Sequence, residues 1–178
     1  IKRVAEIGPG DSIGIGLAAI YTGAEEYYAF DVIEHANLDR NRFINRQLLH
    51  MFVDNLPIPN TERQRNTAPT LDNYKFPKEI LYYPKEYYYN RYDLIDSAML
   101  NQKQVPINIK YIVPWMNSNC VELEGLDLIF SQAVMEHVSE IEFGICKLPE
   151  QKIRNSLFTA GSNHEIRIRL ASCIQMRF

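Results

Sequence analysis

The chain has 178 residues, 46% of them hydrophobic and 23% charged, with a formal net charge of −3. That length supports one domain with its own core, and the composition lies near the globular average, which argues against a disordered chain. No lysine–arginine tract builds the footprint of a broad nucleic-acid binder, and no run approaches the roughly 18 apolar residues of a membrane span.

The chain opens on Ile1, directly before its first apolar run, and is read as a fragment of a longer protein. That run, 4–7, is a predicted strand that stops at Gly8-Pro9-Gly10. A helix should follow at once, with Ser12 as its N-cap and Asp11 favourably placed at its N-terminal dipole. Ile13, Leu17 and Ile20 recur at i, i+4 and i+7, so one helix face should lie on a sheet, and Gly23 is a fitting stop. Residues 27–31, Tyr-Tyr-Ala-Phe-Asp, read as a second strand ending on a carboxylate. Strand, helix and strand within about 30 residues make a βαβ unit with a right-handed crossover.

Residues 38–53 show the next strong helical pattern, with Ile44, Leu48, Leu49 and Phe52 on one stripe and Arg40, Arg42 and Arg46 on a solvated face; Pro57 and Pro59 end it. Residues 55–80 are rich in Pro, Asn, Thr and charge and read as a solvent-facing loop or insertion. Six of the eleven tyrosines fall in 82–92, and a short helix is expected over 94–100. Strand three is expected over 107–113 and strand four over 126–130, followed by a helix over 133–141. Beyond it, 149–157 reads as a helix, 161–163 as a turn, and 166–176 as one long strand or two pieces. Three cysteines, Cys120, Cys146 and Cys173, have no metal-ligand spacing and suit the reduced thiols of a cytoplasmic protein. His35, His50 and His164 have no companions at ligand spacing, so no metal is required.

The glycine turn carries the first chemistry. Gly8 and Gly10 lack a Cβ, so the backbone can pass close to a ligand at a helix N-terminus. A nicotinamide dinucleotide site wants a third glycine three residues after the second, and here that position is Ile13. Glu6 adds a carboxylate beside the turn, which suits a cofactor with a cationic amine and repels a pyrophosphate.

The segment Glu6-Ile-Gly-Pro-Gly-Asp-Ser-Ile-Gly14 resembles the first motif of the class I S-adenosylmethionine-dependent methyltransferases. Asp31, 21 residues after Gly10, is similar to the acidic residue that binds the ribose hydroxyls in that family, and the segment Leu126 to Val138 resembles the family's fourth motif. The resemblance covers about 3–54 and 107–141. It implies an α/β fold: a Rossmann-like, doubly wound, mostly parallel sheet with helices on both faces. It implies one domain over 1–178 with an insertion or lid at about 55–105. Because the family's sheet has seven strands and four are placed here, the C-terminal end is expected to be incomplete.

The resemblance further implies that Glu6, Gly8, Pro9 and Gly10 surround the methionine part of S-adenosylmethionine, that Asp31 holds the ribose and that Val32 lies against adenine. Trp115 stands where the family has a polar loop, and could stack on adenine or belong to the core. Ser131 and Gln132 fall at the mouth of strand four, where open α/β sheets bind ligands. His137 is the candidate catalytic base, against the plainer alternative of a first-turn helix residue with a satisfied hydrogen bond. The expected activity is methyl transfer to a small-molecule or carbohydrate-like acceptor by in-line SN2 displacement. The alternatives are a nicotinamide-dependent oxidoreductase and a non-catalytic methyltransferase-like partner protein. The tyrosines of 82–92 read mainly as packing, with one or two lining an acceptor pocket.

Overall fold

A computed structural model of the chain describes residues 1–59, 73–114, 125–132, 155–160 and 164–166. In chain order the elements are β1 (Arg3–Ile7), α1 (Gly14–Tyr21), β2 (Glu26–Phe30), α2 (Leu38–Val53), α3 (Lys85–Met99), β3 (Asn108–Ile112), β4 (Leu128–Gln132), β5 (Asn155–Ala160) and β6 (His164–Ile166). They form one sheet in the order β3-β2-β1-β4-β5-β6. The first five strands are parallel to their neighbours, and β6 runs antiparallel to β5. The fold is therefore α/β, with a mostly parallel sheet.

Strand register determines which side chains share a face. Glu6 pairs with Ala29 and with Phe130, and Ala29 pairs with Tyr111, so these four stand in one row across the sheet. Val4, Tyr27, Ile109 and Leu128 form the row two residues earlier, on the same face. That face carries the main core: Val4, Tyr27 and Ala29 are buried against Leu17, Ile20 and Tyr21 of α1, Phe52 of α2, and Tyr88 and Ile95 of α3. The alternating residues Ala5, Ile7, Phe30, Ile129 and Ser131 are also buried. Burial on both faces is why these strands read as continuous apolar runs and not as alternating ones.

An aromatic cluster joins the helices. The Tyr21 and Phe52 rings stack at 5.0 Å, and Tyr88 and Phe76 approach Phe52 at 5.3 and 5.8 Å. The Tyr21 hydroxyl donates to Asn45 Oδ1 at 2.8 Å, and Asn45 Nδ2 donates to the Tyr92 carbonyl at 3.3 Å, so the buried asparagine bridges α1 and α3. At the rim, Arg42 makes a forked pair with Asp96 at 2.8 and 3.1 Å.

Several local expectations change. The helix expected over 94–100 is the last part of a 15-residue helix that begins at Lys85. Tyr88, Tyr92, Ile95 and Met99 recur at helical spacing, so two of the clustered tyrosines belong to its inward stripe. Ser12 does not cap α1: the N-cap is Ile13, which has no side-chain cap of its own. Its N–H instead donates to Asn41 Oδ1 of α2 at 3.1 Å, a cap supplied by tertiary contact. Strand four begins two residues late because Asp127 is used otherwise. Its Oδ2 accepts the Lys2 and Arg3 N–H groups at 2.6 and 3.2 Å, securing the start of β1. The helix expected over 149–157 is overturned at its end, where Asn155, Ser156 and Leu157 pair with β4 as strand; pairing along a parallel ladder outweighs the local pattern. Residues 149–154 lie outside the described residues, as do those of the helix expected over 133–141, the turn expected over 161–163 and the strand expected beyond Ile166. Within the 55–80 segment, the Ile58 N–H donates to the Tyr74 carbonyl at 2.8 Å.

Candidate functional site

In an open parallel sheet the ligand crevice lies at the carboxyl ends of the strands where the strand order reverses. Here that is between β1 and β4, because β2 and β3 lie to one side of β1 and β4 and β5 to the other. The turn after β1 rises at this point. Its Gly8 and Gly10 have φ of 69° and 67°, the left-handed region that side-chain-bearing residues rarely adopt. A Cβ built on Gly10 would meet nothing within 4 Å, so backbone conformation rather than crowding selects glycine there. The Gly8 N–H donates to the Phe30 carbonyl at 2.7 Å, carrying the β1–β2 ladder one step past the strand.

Asp31 follows β2 directly, and its backbone N–H bonds the Ile112 carbonyl of β3 at 3.1 Å. Its carboxylate gathers three donors. Oδ1 accepts the Val32 N–H at 2.7 Å, while Oδ2 accepts the Gly10 N–H at 3.1 Å and the Tyr111 hydroxyl at 3.2 Å. The tertiary structure thus joins the glycine turn, the end of β2 and the end of β3 through one buried carboxylate. Val32 beside it is 51% exposed, and Ile33 is exposed as well.

Glu6 lies below the turn and points to the helix-covered face. It is 4% exposed, and the buried Tyr27 hydroxyl donates to its Oε2 at 2.5 Å. Burial pushes the carboxyl up to about 7; the Tyr27 bond opposes that and the nearby Asp31 charge reinforces it. Tyr27 is pushed well above its ordinary range, chiefly by burial and then by Glu6, so it remains a donor. Its ring fits only because Gly16 of α1 lies against it: a Cβ there would come within 2.0 Å of the ring.

Ser131 is buried in β4 and paired in register with Ile7, so it stands level with the last residue of β1 and not beyond the strand. Gln132 ends the same strand. Pro9 occupies the turn between the two glycines. Trp115 and His137 lie outside the described residues. The structure therefore brings together Glu6, Gly8, Pro9, Gly10, Asp31 and Val32, with Ser131 on the neighbouring strand. Of the arginines of α2, Arg40 reaches the residue that follows the glycine turn, pairing with Asp11 at 2.9 Å, whereas Arg42 and Arg46 line a separate cavity of about 340 Å³ with Asp39 and Tyr92. Among the described residues no group of three or more His, Cys, Asp or Glu side chains is placed to hold a metal, and no helix is long and apolar enough to cross a membrane.

Three participants had no distinct signature in the sequence. Asn41 reads as an exposed helix residue, and Tyr27 and Tyr111 read as ordinary strand aromatics. The available signal was Gly16, since a glycine inside a helical pattern marks a close approach. Compared with protein-family models and with curated proteins, the chain matches none.

Proposed function

We propose that this chain binds S-adenosylmethionine and directs its methyl group to a small-molecule or carbohydrate-like acceptor. One observation carries the reading: a two-glycine turn and a strand-end carboxylate meet at the topological switch point, joined by the Gly10–Asp31 bond. A pyrophosphate is disfavoured there by Ile13, which occupies the place of a dinucleotide site's third glycine, and by Glu6 beneath the turn. A cofactor with a cationic amino-acid end and a ribose suits the same donor set. Gly8, Pro9 and Gly10 would line the amino-acid end, with open space in front of Gly10. Glu6 would oppose the cationic amine from below, since a cation nearby favours its ionised form. Asp31 would accept the ribose hydroxyls, and the exposed Val32 would offer an apolar surface to adenine. Trp115, Ser131 and Gln132 complete the proposed binding set, and His137 is the proposed base.

When bound, the cofactor supplies an electrophilic methyl on a sulfonium leaving group. The chain's own contribution is then mainly positioning and the exclusion of water. His137 would take the acceptor's proton as the new bond forms. Isothermal titration tests the proposal: S-adenosylmethionine and S-adenosylhomocysteine should bind, and NADH should not. Tight NADH binding without either of the other two would replace the proposal with an oxidoreductase. Binding without turnover of any acceptor would favour a non-catalytic partner protein.

A further inference from the structure

We propose that Tyr111 is the positioning residue of this site, setting the Asp31 carboxylate to receive a vicinal diol. The ligand half of this proposal rests on the nucleoside-cofactor reading above; the positioning half does not. Tyr111 stands on β3, an edge strand among those described, in the row that also holds Ala29 and Glu6. Its hydroxyl meets three groups of the segment that leaves β2. It is 3.2 Å from Asp31 Oδ2 and 3.5 Å from the Ile33 carbonyl, and it accepts the His35 N–H at 3.4 Å. A phenol has one proton to donate. The nearer, charged carboxylate is the stronger acceptor, so that proton goes to Asp31. The lone pair left over takes the His35 N–H, and the same hydroxyl thereby pins residues 31–35 to β3.

The other two bonds to Asp31 cannot do this. The Val32 N–H belongs to the adjacent residue and moves with it, and Gly10 lies in a turn with two left-handed glycines. Among the described residues, Tyr111 alone joins the carboxylate to a side chain anchored in the sheet. A carboxylate offers about four lone-pair sites, and these three bonds occupy most of them. A diol therefore needs the carboxylate held in one orientation while the turn exchanges its own bond. The Tyr111 ring packs on the core, so removing only the hydroxyl leaves that packing in place.

The test uses Tyr111→Phe, Asp31→Ala and the double variant. Without ligand, amide exchange followed by NMR should quicken several-fold at Gly10 and Val32 in Tyr111→Phe, with Leu17 in the core unchanged. Unaltered exchange at Gly10 and Val32 overturns the positioning role. Affinity for S-adenosylhomocysteine should fall about three- to tenfold in Tyr111→Phe, the size of one hydrogen bond's net contribution. In the Asp31→Ala background the same change should cost less than about twofold, because the two act as one unit. An equal loss in both backgrounds overturns the route through Asp31. If the wild-type chain does not bind S-adenosylhomocysteine, the nucleoside reading and the ligand half fall together, and amide exchange still decides whether Tyr111 positions Asp31.

Discussion

Glu6 combines two environments that act on its proton in opposite senses: burial favours the neutral carboxyl, and the Tyr27 hydroxyl favours the anion. Burial dominates, and the carboxyl is raised from 4.5 to about 7. The native state then holds this proton more tightly than the unfolded chain, so stability falls as pH rises from about 4.5 to about 7 and stays low above that. The effect amounts to about 3 kcal/mol at most. Glu6→Gln keeps an acceptor for Tyr27 and removes the charge. It should match the wild type near pH 4 and exceed it at pH 8 in denaturant unfolding; an unchanged pH slope would contradict the assignment. Asp31→Ala removes a carboxylate that three donors share. It should weaken S-adenosylmethionine binding by about 1–3 kcal/mol in calorimetry, and unaltered affinity would take Asp31 off the ribose. Gly10→Ala meets no steric obstacle but must hold φ near 67°, which costs about 1–2 kcal/mol. Its melting temperature should drop by several degrees.

Among the elements, α1 depends most on a single small residue. Ala at position 16 would gain about 1 kcal/mol of helix propensity but drive a Cβ into the buried Tyr27 ring. Overpacking of this kind costs about 1–3 kcal/mol, and a 2.0 Å approach belongs at the severe end. Gly16→Ala should therefore be net destabilising in chemical denaturation. Tyr27→Leu in the same chain should restore part of the loss, whereas Tyr27→Phe should not, because ring carbons make the clash. The α3 helix shows the opposite relation between sequence and structure. Its tyrosines have modest helix propensity, and Pro84 interrupts the run, so the local pattern understated its length. Pro84 takes the N-cap position, where it removes no intrahelical bond, and burial of Tyr88 and Ile95 provides the rest.

At the scale of the whole molecule, the βαβ start and the order β3-β2-β1-β4-β5 bring three distant segments to one edge. A ligand held by that edge stabilises only the folded chain. At about 100 times its dissociation constant, S-adenosylhomocysteine should add about 2.7 kcal/mol and raise the melting temperature by roughly 5–10 °C. NADH at the same concentration should leave it unmoved; the reverse pattern would favour the oxidoreductase reading.

The local units were legible in the sequence: the strand before Gly8, the glycine turn, the helix behind it, and the carboxylate at the end of β2. These depend on contacts within a few residues, where periodicity and the special freedom of glycine are decisive. The inward direction of Glu6 could not be read, because a strand buried on both faces shows no alternation to orient it. Nor could the bonds from Asp31 to Gly10 and Tyr111, 21 and 80 residues away, or the capping of α1 by Asn41, 28 residues from Ile13. Those contacts exist only once the chain has folded, since strand order and register choose which distant residues meet.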